Sequence, residues 1–288
     1  MTLSFGQRLA EAFSARGQLC VGIDPHPFLL QEWGLPDDPS GLRDFGLRVV
    51  DAAAGQVGLV KPQVAFFERH GSAGYSALEE VIAAARAAGL LVIADVKRGD
   101  VGSTVEAYAQ AWLRAGSPLE ADALTMSAYQ GVDSLAAPVA LAQTGGKGIF
   151  VLAATSNPES FVLQRSTLSA GPSVGRTVAA SIVDAVTIIN NQQDVAGMGS
   201  IGVVLGATVD LDDYGIDLED ASGVHGTPIL APGFGHQGAR LSDLGALFGA
   251  ARGLVVVSVS RSILSAGRAG IREIVRSHAS EVAQWQRG

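Results

Sequence analysis

The chain has a single cysteine, few charged side chains and no basic excess. Cys20 has no second cysteine to pair with, which excludes an internal disulfide and a cysteine-based zinc site. It lies in an apolar run, Leu19–Ile23, which favours a buried core thiol over a nucleophile. The formal net charge of −8 argues against a nucleic-acid-binding surface, which needs a basic field. A few local cations in a cleft would still be enough to bind a phosphate.

The chain also lacks the apolar segments that would direct it to a membrane. Its first residues carry charges at Arg8, Glu11 and Arg16 and have no long apolar core, so we expect no signal peptide. No segment reaches the roughly 18 uninterrupted apolar residues of a membrane span. We therefore expect a cytoplasmic enzyme that binds neither membrane nor nucleic acid.

Short apolar strands alternate with helical segments along the whole chain. Strands of this kind indicate a parallel sheet that is covered on both faces. The 288 residues would fit two ordinary domains or one barrel, but no linker or composition shift divides them. Because no G-x-G-x-x-G follows the first strand, we predict an α/β single-domain (β/α)8 TIM barrel over residues 1–288 rather than an open doubly wound sheet. The predicted strands are Leu19–Asp24, Val57–Pro62, Leu90–Val96, Ala121–Ser127, Gly148–Ala154, Ile201–Gly206, Pro228–Ala231 and Leu254–Val259.

Three further segments complete the predicted architecture. A helix over Phe5–Arg16 precedes the first strand and should cover the barrel. Thr155–Pro172 is expected to be irregular, and a short helix is expected at Leu218–Ala221.

Leu91–Thr104, written LVIADVKRGDVGST, is the most informative stretch. Asp95 and Lys97 should point to the same side of a strand, because side chains alternate with a period of two. Two charged groups at the end of a buried strand are costly unless they pair with each other or do chemistry. A structural ion pair would explain them as well as an active site would.

Polar side chains end most of the other strands as well. In a barrel the carboxyl ends of the strands meet in one cleft. Polar groups at six of these strand ends are hard to ascribe to chance, because the interiors of the same strands are apolar. The glycine-rich loop at 232–238 and the guanidinium of Arg261 predict a phosphate site. The groups at these ends are Asp24, Lys61, Asp95 with Lys97 and Asp100, Ser127, the loop with Gln237, and Ser260 with Arg261 and Ser262.

Lys61, Asp95, Lys97 and Asp100 balance to zero formal charge. Alternating cations and anions keep each other ionised in a dry site. A Schiff-base lysine would need a lowered pKa, so an aldolase is disfavoured. The histidines are scattered, and the lysines would compete with Mg²⁺ for the carboxylates, so we expect no metal and no cofactor.

The motif D-x-K-x-x-D followed by G-S-T, from Asp95 to Thr104, resembles the active-site motif of the orotidine 5'-phosphate decarboxylase family in its longer bacterial branch. The strand ends from Asp24 to Ser262 match the family pattern in the same order. The resemblance implies cofactor-free decarboxylation of orotidine 5'-phosphate to uridine 5'-phosphate. Lys97 would protonate the pyrimidine carbon that loses CO2, and Asp95 would lie against the substrate carboxylate.

The resemblance also implies binding roles and a partner. Asp24 would bind a ribose hydroxyl, and Lys61 would bridge the ribose and Asp95. A homodimer is implied, in which two residues enter the neighbouring subunit's site. The other implied contacts are Ser127 with the pyrimidine edge, Gln237 and Arg261 with the phosphate, and Asp100 and Thr104 with the neighbouring site.

Some questions stay open at this point. Ser260 stands where most members of the family have glycine. Asp100 could equally be a local charge favoured by the dipole of the following helix. A Mg²⁺-dependent enzyme acting on a keto-sugar phosphate and a non-catalytic sugar-phosphate-binding barrel are the alternative functions.

Overall fold

Eight parallel strands close into a barrel in the computed structural model, which describes residues 3–192, 197–218 and 225–287. Each strand pairs with its neighbours along the chain, and the last pairs with the first. The predicted (β/α)8 barrel is therefore confirmed. The strands are β1 Leu19–Ile23, β2 Leu59–Pro62, β3 Leu91–Arg98, β4 Ala123–Met126, β5 Gly148–Ala154, β6 Ile201–Leu205, β7 Ile229–Pro232 and β8 Val255–Val259.

Helices cover the barrel and follow its strands. The α-helices are α1 Phe5–Arg16, α2 Pro27–Glu32, α3 Pro39–Ala53, α4 Ala65–Glu68, α5 Gly71–Ala87, α6 Gly102–Leu113, α7 Ala136–Thr144, α8 Ser160–Gln164, α9 Val178–Asn191, α10 Leu244–Phe248, α11 Arg261–Leu264 and α12 Gly267–Arg287. Shorter 3-10 turns occupy Val132–Leu135, Asp212–Tyr214, Leu241–Asp243 and Gly249–Leu254. A pair of two-residue strands, Gly197–Met198 and His225–Gly226, lies outside the barrel. In these ranges no helix combines the length and apolar character needed to cross a bilayer.

Pro27 begins α2, because a proline at the first helical position loses no intrahelical hydrogen bond. The secondary structure differs from expectation after β5. The segment Thr155–Pro172, expected to be irregular, contains α8. Of the helix expected at Leu218–Ala221, residues 219–221 lie outside the described residues.

Helix α1 closes the amino-terminal end of the barrel. Its Phe5, Leu9 and Phe13 are buried and pack on the inward-facing residues of the strands. Gly148 at the start of β5 allows this approach, since a Cβ there would lie 2.3 Å from the Phe5 ring. The inward-facing residues of this apolar plug are Cys20, Leu59, Ile93, Ala123, Phe150, Val204, Leu230 and Val256.

Two residues further along most of the strands, the inward-facing side chains become polar or small. Because side chains alternate, these residues form the next layer above the apolar plug. Its members include Gly22, Lys61, Asp95, Thr125 and Ser258. The barrel is thus apolar at its amino-terminal end and polar towards its carboxyl-terminal mouth. Cys20 is a plug residue, and burial raises the pKa of its thiol to about 12.

A buried ion network fastens α1 to the barrel. Asp122, just before β4, accepts from Arg8 Nη1 at 2.5 Å and from the Val92 N–H at 2.9 Å. The Lys147 ammonium is also buried and lies 2.8 Å from Glu120 and 4.0 Å from Asp122. Although burial acts to raise it, the pKa of Glu120 is lowered to about 2 by hydrogen bonds that include one from Lys147.

We expect Asp122→Ala to lower the free energy of unfolding by about 3 kcal/mol, because it removes one anion from a buried cationic network. Urea denaturation would measure the loss. Asp51→Ala is the matched control, since Asp51 pairs with Arg272 on the surface, where it is 78% exposed. Equal losses for the two variants would contradict a special role for the buried network.

Candidate active site

Asp95, on the inner face of β3, is held by side chains from three strands. Its Oδ2 accepts from Lys61 Nζ at 2.7 Å, and its Oδ1 accepts from Lys97 Nζ at 2.6 Å. The Thr125 hydroxyl donates to the same Oδ1 at 2.9 Å. Asp95 and Lys61 are buried, whereas 46% of the Lys97 side chain is exposed. Lys97 is therefore the member of this array that an incoming ligand can reach.

The charges of the array are fixed by one another. Burial acts to raise the pKa of Asp95, but Lys61 and Lys97 outweigh it and hold that pKa well below its usual range. Burial likewise acts to lower the pKa of Lys61, but Asp95 and Asp24 outweigh it and raise that pKa. At neutral pH the site thus contains a permanent anion beside a permanent cation.

The end of β3 is not a regular strand. Its register with β4 shifts between Ala94 and Arg98, so extra residues bulge from β3. Lys97 has a φ of 48°, the one positive φ at a non-glycine residue in the described part of the chain. This conformation costs an L-residue about 1–2 kcal/mol. The expectation that Asp95 and Lys97 share a side is met, but through this bulge and not through simple alternation.

Asp24 lies directly after β1, and only one of its two carboxylate oxygens has a hydrogen-bond partner among the described residues. Its Oδ2 accepts from Ser260 Oγ at 2.6 Å. Its Oδ1 is buried and has no hydrogen-bond partner among the described residues. Gly22 gives Ser260 the space it needs, because a Cβ there would lie 2.7 Å from the Ser260 Cβ. A buried acceptor without a partner is costly, so Asp24 Oδ1 is placed to receive a ligand hydroxyl.

Sequence reasoning missed two residues that face the mouth, Thr125 and Gln63. Thr125 lies two residues after Ala123, which belongs to the apolar plug, and Gln63 lies two residues after Lys61. Gln63 Oε1 is buried without a partner among the described residues. Alternation along β2 and β4 places both on the inner face, but it does not distinguish a site residue from an ordinary core residue.

The loop at 232–238 meets the end of β8. A Cβ on Gly235, which has a φ of 77°, would lie 2.6 Å from Ser262 Oγ. That Oγ is itself buried and unpaired within the described residues. Gln237 is exposed in the loop, and the Arg261 guanidinium at the start of α11 has no ion-pair partner among the residues described. The Ser262 hydroxyl, the Gln237 amide and the Arg261 guanidinium therefore offer hydrogen-bond donors at this end of the barrel.

Asp100 and Thr104 make no hydrogen bond or ion pair with the array of their own chain within the described residues. Asp100 precedes α6, and its Oδ1 accepts from the Val101 N–H at 2.8 Å. In the described ranges no ion pair joins Asp100 to either lysine of the array. Thr104 lies on the exposed surface of α6. Ser127 follows β4, and its N–H donates to the Arg98 carbonyl at 2.8 Å.

This arrangement can be compared with that of known proteins. The model of the orotidine 5'-phosphate decarboxylase / HUMPS family matches residues 17–272. The chain belongs to this family. The resemblance drawn from the motif at Asp95–Thr104 is therefore confirmed.

Similar proteins and structures bear the same name. The chain is 49% identical to an orotidine 5'-phosphate decarboxylase of Salinispora arenicola over 264 residues, which cover 92% of this chain and 91% of the relative. It is 50% identical to that of Streptomyces coelicolor, with 91% and 90% covered. A crystal structure of a putative orotidine 5'-phosphate decarboxylase from Streptomyces avermitilis superposes with a TM-score of 0.92 at 46% identity, covering 100% of this chain and 97% of the other.

The segment Thr155–Pro172, which follows β5, is held by hydrogen bonds between Thr155 and Gln164. The Thr155 N–H donates to Gln164 Oε1, and Gln164 Nε2 donates to Thr155 Oγ1, each at 2.9 Å. A cavity of about 510 Å³ lies between this segment, the loop after β4 and α9. Ser127 and Gln164 line it, but the array residues do not, so this cavity adjoins the candidate site and is not its centre.

We expect Asp95→Asn to lower the free energy of unfolding at about pH 7 by about 3 kcal/mol, because Lys61 would stay buried without its anion. The pKa of Asp95 is lowered by folding, so its contribution is present above its unfolded pKa of about 3.9 and is lost as the pH falls further. The difference from wild type should therefore be constant from about pH 7 to about pH 5 and should shrink near pH 3 in urea titrations.

The control for this prediction is Lys61→Met in the Asp95→Asn background. It removes the stranded ammonium, so it should recover much of the lost stability. No recovery would mean that the cost arises elsewhere than in the buried Lys61 charge.

Proposed function

We propose that this protein decarboxylates orotidine 5'-phosphate to uridine 5'-phosphate, as a carbon–carbon lyase that uses no cofactor. The observation that carries the proposal is the array of Lys61, Asp95 and Lys97 at the mouth of the barrel. Membership of the decarboxylase family and the names of the similar proteins support it. We assign the proton donor to Lys97, since its ammonium is fixed beside Asp95 yet open to solvent.

Electrostatic stabilisation must carry most of the catalysis. Loss of CO2 leaves a carbanion on the pyrimidine, and the site offers no covalent electron sink. Repulsion between Asp95 and a substrate carboxylate about 4 Å away would supply roughly 4 kcal/mol at an effective dielectric near 20. Enzymes lower barriers by about 8–23 kcal/mol, so repulsion is not the main effect. The larger share falls to Lys97 beside the developing carbanion and to substrate binding that orders the site.

The remaining predicted residues bind the substrate in this proposal. Asp24 receives a ribose hydroxyl on its unpaired Oδ1, and Lys61 bridges the ribose and Asp95. Ser127 contacts the pyrimidine edge. Gln237 and Arg261 hold the phosphate. The assignment is supported by the Arg261 guanidinium, which has no ion-pair partner among the described residues.

We also propose a homodimer in which Asp100 and Thr104 complete the partner's site. Among the described residues no ion pair joins Asp100 to Lys61 or Lys97 of its own chain, and Thr104 is exposed. Two large hydrophobic side chains are exposed near them, Val101 at 53% and Tyr108 at 39%. The cytoplasmic location stays a prediction.

The Mg²⁺-dependent alternative, a keto-sugar phosphate enzyme, is disfavoured by the geometry of Asp95. Both of its oxygens already accept hydrogen bonds from Lys61, Lys97 and Thr125. A divalent cation would have to displace these donors and lie beside two ammonium groups.

A spectrophotometric assay for loss of orotidine 5'-phosphate tests the function. Wild-type protein should turn the substrate over at the same rate after exhaustive treatment with EDTA. Lys97→Ala should lower kcat by more than about 1,000-fold while uridine 5'-phosphate still binds, because only the proton donor is removed. Activity that disappears with EDTA would favour the metal-dependent alternative, and a Lys97→Ala variant within tenfold of wild type would exclude Lys97 as the donor.

Complementation tests the shared site. Lys97→Ala and Asp100→Ala subunits should each be inactive, but a heterodimer would contain one site that lacks neither group. Random exchange in an equal mixture makes half of the dimers heterodimers, so activity should recover to about a quarter of wild type.

Lys97→Ala mixed with Asp24→Ala is the matched control. Both residues belong to the site of their own chain, so each site of that heterodimer lacks one group and no activity should return. If the Lys97→Ala and Asp100→Ala mixture stays inactive despite demonstrated exchange, Asp100 serves its own subunit.

A further inference from the structure

Thr125 is a buried residue of β4 whose single hydroxyl contacts two parts of the array. It donates to Asp95 Oδ1 at 2.9 Å and accepts from the backbone N–H of Lys97 at 3.0 Å. The residue is 1% exposed. One oxygen atom therefore joins the Asp95 carboxylate to the main chain at Lys97.

The bulge in β3 explains why this second hydrogen bond is needed. Ala94 of β3 pairs with Leu124 of β4. The next paired residues are Arg98 and Met126, so Thr125 alone faces the residues between. Residues in a bulge lose regular ladder partners, yet a backbone donor away from water must be paired.

The same hydrogen bond is made at a residue whose backbone conformation is unusual. A φ of 48° is unfavourable for an L-residue, and it persists only where the surroundings fix it. This φ directs the Lys97 side chain back towards Asp95, where its Nζ lies 2.6 Å from Oδ1. Relaxation to ordinary extended backbone would turn the Cα–Cβ bond of Lys97 to a different direction.

We propose that Thr125 is a positioning residue, which holds the Lys97 backbone in its left-handed conformation and thereby keeps the Lys97 ammonium at Asp95. The inference rests on the proposed role of Lys97 as proton donor. Thr125 itself does not touch the reacting atoms. If the Thr125 hydroxyl had only a structural role, its removal would change neither the conformation of Lys97 nor the reaction rate.

Thr125→Val and Thr125→Ser separate the hydroxyl from the methyl group. Valine keeps the shape of threonine but loses both hydrogen bonds, so kcat should fall by about 100-fold, as expected for a misplaced catalytic group. The KM and the binding of uridine 5'-phosphate should change much less. Serine keeps the hydroxyl and should restore most of the turnover.

Thr227→Val is the matched control for general destabilisation. Thr227 is also fully buried, and its hydroxyl is hydrogen-bonded to Thr187 at 3.0 Å and to Asn190 at 3.2 Å, before the start of β7. This variant should lose stability and keep the kcat of wild type. If Thr125→Val retains kcat within tenfold, or if Thr227→Val lowers kcat as much, the positioning role is wrong.

Amide hydrogen exchange at Lys97, followed by NMR, keeps this test independent of the reaction. The Lys97 N–H should exchange at least tenfold faster in Thr125→Val than in wild type and should stay protected in Thr125→Ser. If Thr125→Val does not fold, Thr125→Ala removes the same bonds. Unchanged exchange would overturn the proposal even if the enzyme decarboxylates orotidine 5'-phosphate. Failure of wild-type protein to do so would instead overturn the proposed function.

Discussion

The hydrogen-bonded carboxylate of Asp95 is the centre on which the rest of the candidate site depends. An isolated carboxylate at this depth would lose far more hydration energy than the fold could replace. Lys61 and Lys97 make the ionised form favourable, and in turn the carboxylate keeps a buried Lys61 charged. Neither partner is tolerable alone. The charges of Asp95 and Lys61 are therefore fixed in place before a substrate binds. The electric field that they produce needs no rearrangement of the protein when charge develops on the substrate.

The barrel makes this arrangement possible by separating its two ends. Helix α1 and the inward-facing apolar residues fill the amino-terminal half, so packing there supplies stability without any polar group from the mouth. The alternation of side chains then changes from apolar to polar within one strand step, for example from Ile93 to Asp95. Burying the charged residues costs free energy, and the packing of the apolar half offsets that cost without involving them. The same packing offsets the cost of an unfavourable backbone conformation such as that of Lys97.

Much of this could be predicted from the sequence, and the missing parts have physical reasons. The apolar strands and the strand-end charges were enough to predict the barrel and to single out Lys61, Asp95 and Lys97, which the structure does bring together. The bulge was not predictable, since simple alternation places Asp95 and Lys97 on one side without it. Thr125 was missed because a threonine inside an apolar strand has an ordinary explanation as a core residue. Its importance appears only when the register of β4 against the bulge is known.

The charge balance links the array to the proposed dimer. Within one chain, Lys61, Asp95 and Lys97 sum to a net charge of +1, whereas the sequence alone suggested a neutral set that included Asp100. Asp24 and Arg261 add one charge of each sign to the cleft, so the sum stays +1. An excess of positive charge in a partly dry site attracts anions, which suits a substrate with a carboxylate and a phosphate. The proposed arrival of Asp100 from the partner would bring the formal charge of the array to zero and would place a second carboxylate beside Lys97.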